Sequence, residues 1–213
     1  MAEMRTEEEQ VEALKRWWNE NGKSLLAGIA IAILGVVGWN YYGDMQQQEA
    51  ETASAYYQRL LGNASASQMG ATERSAIKQD AQTLKDEFSD GAYAQYAALM
   101  LAKVAVAEND LEKAETELRW LLSNAEESAL VELANVRLAQ VLQAQNRLDQ
   151  ALALVQDKND AWQGRRLEVK GDILLAQGDQ SGARGAYEKA KKVAAEQGAN
   201  TALLSLKIDN LVE

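Results

Sequence analysis

The 213 residues include no cysteine, no histidine and no proline, and only one phenylalanine. Without cysteine there is no disulfide, thiol nucleophile or thiolate metal site. Without histidine the commonest general base and metal ligand is missing. Neither GxxxxGK[ST] nor GxGxxG, the motifs that cradle phosphates, occurs. Glu126 and Glu127 adjoin, but adjacent helical positions do not face one another, so they read as solvated surface and not as a paired acid. Catalysis is therefore not expected, nor a metal, a cofactor or a small-molecule substrate. The missing proline, with abundant Ala, Leu, Glu and Gln and no period-two runs of Val, Ile and Thr, points to an all-α fold.

Charge excludes further classes. The formal net charge is −10, of which residues 1–23, with four basic and six acidic groups, carry −2 and the remainder −8. An acidic body repels nucleic acid, whose binding depends on neutralising phosphates, and it does not favour lying flat on anionic lipid. Proteins remain as partners.

Between Lys23 and Asp44 stand twenty residues without a charge, SLLAGIAIAILGVVGWNYYG. As a helix they span about 30 Å, the thickness of a bilayer's hydrocarbon core. A buried core helix would keep a polar stripe, and this run has none before Asn40. A cleaved signal peptide would start with its basic region and end in small residues. Here a tail with six glutamates comes first, and Trp39, Tyr41 and Tyr42, suited to a membrane interface, come last. Residues 24–43 are read as an uncleaved transmembrane helix. Lys15, Arg16 and Lys23 precede it, whereas the fifteen residues Asp44–Gln58 hold no Lys or Arg. The positive-inside rule then places the N-terminus in the cytoplasm and the body on the other side, a single-pass type II arrangement. Gly28, Ala32 and Gly35 share a face and form a candidate surface for packing against another membrane helix.

In residues 1–23, Thr6 and Glu9 fit a capping box, Val11, Leu14 and Trp18 recur at helical spacing, and Asn21-Gly22 is a stop signal. The expectation is a short amphipathic cytoplasmic helix with Trp17 and Trp18 beside the membrane. Residues 44–71 are read as a juxtamembrane segment, with Gln48–Leu61 continuing the membrane helix and Gly62–Gly70 forming a loop. Residues 72–213 form the main domain.

That domain repeats itself. Segments beginning at Leu101, Leu138 and Lys170 align so that a small residue precedes another by twelve positions each time: Ala102/Ala114, Ala139/Ala151 and Gly171/Ala183. The copies are offset by 37 and 32 residues, on either side of the 34-residue tetratricopeptide period. Asn109-Asp110, Asn146-Arg147 and Gly178-Asp179 supply turns between the paired helices. The third copy resembles a tetratricopeptide repeat most closely through Gly171, Ala183, Tyr187 and Ala190. The others place Leu118 and Val155 where it has Tyr187, and no copy ends in proline. Thr72–Phe88 and Tyr93–Ala107 are expected as helices upstream. Ala202–Leu211 is expected to close the array with Leu203, Leu206 and Leu211 turned inward. The whole reads as a tetratricopeptide-like α-solenoid. Its concave face would be lined by the first helix of each pair, making Tyr96, Leu99, Lys103, Gln140, Gln143, Arg165, Glu168 and Asp172 the candidate protein-binding groove.

Residues 6–42 (TEEEQVEALKRWWNENGKSLLAGIAIAILGVVGWNYY), NDLEKAETEL, NVRLAQVLQAQ, GDILLAQGDQSGARGAYEKA and the ending LLSLKIDNL together resemble the ancillary subunits of the SecYEG translocon. The resemblance covers nearly the whole chain and is faintest over Gln46–Lys85. It implies a bacterial inner-membrane protein with a periplasmic tetratricopeptide domain. Such a protein would sit at the Sec translocon with a membrane-anchored prolyl-isomerase-like chaperone and help pass exported proteins to soluble periplasmic chaperones. It implies no catalytic residue. The residues alone also admit an adaptor for envelope assembly and a regulator holding a cytosolic protein by its N-terminal tail.

Overall fold

Chain segments rich in Ala, Leu and Gln and free of proline close their backbone hydrogen bonds locally, and the computed structural model is built accordingly. It describes residues 7–65 and 70–211, among which there is no strand. The helices are α1 (Glu7–Ala64), α2 (Ala71–Glu87), α3 (Ala92–Ala107), α4 (Leu111–Asn124), α5 (Ser128–Ala144), α6 (Leu148–Leu154), α7 (Gln163–Ala176), α8 (Gln180–Glu196) and α9 (Ala202–Asp209). Two units result, Met1–Thr52 and Ala53–Glu213.

In the first unit the most apolar stretch of α1 has a mean hydropathy of 1.8 and is only 6% buried. Ile31, Leu34 and Trp39 are all exposed. A core helix would hide this surface, whereas a bilayer span presents it to lipid while its backbone is satisfied within the helix. The expected stop at Asn21-Gly22 does not occur, and α1 runs straight through it. Asn21 Nδ2 donates to the Trp17 carbonyl at 3.1 Å, a bond within the helix and not a cap. Gly22 lies under the Trp18 indole. An interior glycine costs about 1 kcal/mol relative to alanine, too little to break a helix extended on both sides. Thr6 of the expected capping box lies outside the described residues. Gly28, Ala32 and Gly35 are exposed, and a Cβ at Gly28 or Gly35 would meet nothing within 4 Å. They pack against no described part of this chain.

The second unit begins with the end of α1. Ala53 and Leu60 are buried with Ile77, Ala81 and Leu84 of α2 and Ala97, Leu101 and Val104 of α3. Tyr57 stacks on Tyr93 with centroids 4.9 Å apart, and Arg59 pairs with Asp80 at 2.7 Å. The loop expected from Gly62 starts later, because the helix continues to Ala64 and Ser65 Oγ donates back to the Leu61 carbonyl at 2.8 Å. Residues 66–69 of that loop lie outside the described residues.

Three helix pairs follow: α3/α4, α5/α6 and α7/α8. All six small residues at the twelve-residue spacing are buried, so each pair closes where side chains are smallest. The turns between paired helices share one geometry. Asn109, Asn146 and Gly178 have φ of 61°, 62° and 83°. The next amide donates five residues back, Asp110 to Ala105 at 2.8 Å, Arg147 to Leu142 at 2.9 Å and Asp179 to Leu174 at 3.0 Å. This is the Schellman closure, which needs a left-handed residue that Asn and Gly supply cheaply. It recurs at Gly198, φ 71°, after α8. Asp110 and Asp179 then cap α4 and α8 by accepting from Lys113 and Gly182 amides at 3.0 and 2.8 Å.

The second pair departs from the pattern. Its α6 has only seven residues, and Arg166 holds the irregular chain that follows. This guanidinium, 1% exposed, donates to the Gln156 and Lys158 carbonyls at 3.0 and 2.9 Å and pairs with Asp160 and Glu132, both at 2.7 Å. At the far end α9 closes the stack in a different register from the one expected. Leu204, Ile208 and Leu211 pack with Leu167, Tyr187 and Ala190, while Leu203 and Leu206 are exposed. The core of Leu167, Tyr187 and Ala190 sets the rotation of α9, so inward positions run Leu204, Ile208, Leu211 and do not start from Leu203.

Gly171 marks the closest approach. A Cβ there would lie at or within 3.0 Å of three Tyr187 ring carbons. Replacement Gly171→Ala is expected to destabilise the fold by about 1–3 kcal/mol through overpacking. Thermal unfolding of the full chain in detergent should show it, and adding Tyr187→Leu should recover much of the loss. Additive losses would show that the two positions are not in conflict.

Candidate functional site

Helices α3, α4 and α5 enclose an open groove of about 500 Å³. Its walls are the first helices of two successive pairs, and its floor includes Leu111 and Leu118 of α4. Val106 is 48% exposed there, a large apolar side chain left to water. Three of the eight candidate residues, Leu99, Lys103 and Gln140, line this groove together. Arg137, Leu133, Val106 and Val141 line it as well. Their signal in the sequence was available for Arg137, which lies three positions before Gln140 and so on the same helix face.

The other five candidates are engaged elsewhere. Tyr96 leans on Tyr57, centroids 5.8 Å apart. Gln143 Nε2 donates to the Asp172 carbonyl at 3.0 Å, tying α5 to α7. Arg165, Glu168 and Asp172 join a charged cluster with Lys207 of α9. Lys207 Nζ lies 2.7 Å from Asp172 and 3.0 Å from Glu168, which also pairs with Arg165 at 2.7 Å. The Tyr187 hydroxyl donates to Asp172 at 2.7 Å, and Lys207 Nζ sits 5.4 Å from the Tyr187 ring centre. The α7 carboxylates expected to face the groove are thus outside it and occupied by a lysine of the closing helix. No local pattern identifies Lys207 as their partner, because it lies 35 residues from Asp172 and 39 from Glu168.

The cluster has definite electrostatics. Burial pushes the Tyr187 hydroxyl well above its ordinary value, and its bond to Asp172 pushes it further. Burial pushes the Glu168 carboxyl up, but Lys207 and Arg165 outweigh it and hold the group below its ordinary value of 4.5. A carboxylate depressed in the fold stabilises it above the unfolded value and loses that contribution as pH falls through the folded one.

Acidification below about pH 4.5 is therefore expected to release α9, seen as falling hydrogen-exchange protection of the Ala202–Asp209 amides. The substitution Lys207→Met should lower the same protection already at neutral pH while leaving total helix content nearly unchanged. Protection of α9 that is indifferent to both would show that the cluster does not hold it.

Comparison with known proteins supplies a context for this arrangement. The tetratricopeptide repeat-like domain family matches residues 15–213. A protein of Aggregatibacter actinomycetemcomitans is 33% identical over 208 residues, covering 96% of this chain and 97% of its own. One from Escherichia coli K12 is 32% identical over 209 residues, covering 96% of each chain. One from Haemophilus influenzae is 31% identical over 206 residues, covering 96% and 97%. All three are named ancillary SecYEG translocon subunits. No solved structure matches.

Proposed function

Because the chain belongs to the family of ancillary SecYEG translocon subunits, with their tetratricopeptide repeat-like domain, we propose that it is a non-catalytic scaffold at the Sec translocon of a bacterial inner membrane. The observation that carries this reading is the pairing, in one chain, of an open apolar helix with a stack of helix pairs that leaves a groove unfilled. In this reading residues 1–23 are cytoplasmic, 24–43 span the membrane, 44–71 are juxtamembrane and 72–213 form the periplasmic domain. The groove holds another protein. Its partners are the translocon and a membrane-anchored prolyl-isomerase-like chaperone, through which exported proteins pass to soluble periplasmic chaperones. The small face of Gly28, Ala32 and Gly35 serves as the packing surface within the bilayer.

Two experiments test the proposal. Mild-detergent purification of the full chain from native membranes should recover translocon and chaperone components. Their absence, with an envelope-assembly complex or a cytosolic protein recovered instead, would replace the scaffold reading with one of those. The chain lacks cysteine, so single-cysteine variants report topology without background. A cysteine at Ser54 should react with an impermeant maleimide in intact spheroplasts, and one at Ala13 only after lysis. The opposite pattern would reverse the orientation.

A further inference from the structure

The groove between α3, α4 and α5 differs in charge from the chain that carries it. The protein has 32 acidic and 22 basic residues, yet no acidic residue lines the groove, and Lys103 and Arg137 do, one on α3 and one on α5. Among the described residues neither cation pairs with a carboxylate. Arg137 reaches only the Gln140 side-chain oxygen, at 3.1 Å. Three cations of α7 and α9 are treated differently, since Arg165, Arg166 and Lys207 are each held by carboxylates at 2.7 Å. The rest of the lining is largely apolar and includes Leu99, Val106, Leu133 and Val141.

On the reading that this groove holds a partner protein, we propose that it selects an internal segment in which an apolar anchor is flanked by acidic side chains. The anchor covers Val106 and its apolar neighbours, and the carboxylates meet Lys103 and Arg137. Two electrostatic effects oppose each other. The net negative charge of the domain repels an acidic segment at long range, but salt screens that repulsion beyond about 8–10 Å. Contacts to Lys103 and Arg137 act within hydrogen-bonding distance, beside an apolar surface that excludes water on docking, where charge-assisted bonds are stronger than neutral ones. The short-range term therefore decides. A segment flanked by lysines places like charges together and is rejected.

The test uses the full-length protein in nanodiscs and fluorescent peptides blocked at both ends, each with a Leu-Phe core flanked by Glu, by Gln or by Lys. The Glu peptide should bind about tenfold more tightly than the Gln peptide, a difference of about 1.4 kcal/mol, and the Lys peptide most weakly. In K103E/R137E the order should invert, with helix content unchanged because both side chains are exposed. Equal binding of the three peptides, no binding of any, or an unchanged order in the double variant would overturn the proposal. So would binding of the Glu peptide only when its C-terminus is free, which would assign the site to a chain end. Co-purification of the translocon with the unaltered chain is a separate measurement. If it persists while the peptides bind without regard to charge, the charge selection fails and the scaffold reading stands.

Discussion

Three pairs of helices in this protein close against each other at positions where there is almost no side chain: Ala102 and Ala114, Ala139 and Ala151, Gly171 and Ala183, all buried. This closeness is the constraint from which the rest follows. It lets long apolar residues on either side, such as Leu118, Leu138 and Leu142, interlock in one core. It also demands a tight, reproducible turn, which Asn109, Asn146 and Gly178 provide through left-handed backbone geometry. Where the third pair carries the bulky Tyr187, the facing residue is glycine, so volume is exchanged across the contact. The packing density of a protein interior allows little else.

Polar residues then give the first helices of the pairs two kinds of surface. On α7, Glu168 and Asp172 are claimed by Lys207, and the closing helix α9 is held there as well as by Leu204. On α3 and α5, Lys103 and Arg137 have no carboxylate among the described residues and stand beside exposed Val106. The stack is therefore sealed by its own chain at one end and left open nearer the other. The proposed scaffold role rests on that asymmetry, because an array with all its faces satisfied has nothing left to hold a partner, and one with none satisfied would associate without selection.

The staple at Arg166 shows how the fold accommodates irregularity. With α6 cut to seven residues, the polar stretch after Val155 leaves backbone carbonyls without helical partners, and a buried guanidinium gathers two of them with two carboxylates. A buried charge without such partners would cost several kcal/mol. The 32-residue offset from the second copy to the third spans this short α6 and the irregular chain after it.

What the sequence alone determined is what depends on neighbours along the chain: the helical class, the apolar run of α1, the small residues at twelve-residue spacing, and the three turns. Each rests on local propensity or on a period that a helix converts directly into a face. Local signals misled where a weak one met a strong context, as at Asn21-Gly22, where one glycine could not stop a helix supported on both sides. They also misplaced the rotation of α9, turning Leu203 and Leu206 inward, because Leu203, Leu204 and Leu206 are equally apolar and only the core built by Leu167 and Tyr187 chose among them. The candidate groove was legible as a face and not as a site. Lys103 and Glu168 occupy similar faces of their helices, and nothing nearby in sequence separates them. Tertiary structure made the distinction by bringing Lys207 to Glu168 from 39 residues away and, among the described residues, bringing no carboxylate to Lys103. Charge pairing over such distances depends on how the helices stack, which local sequence does not encode.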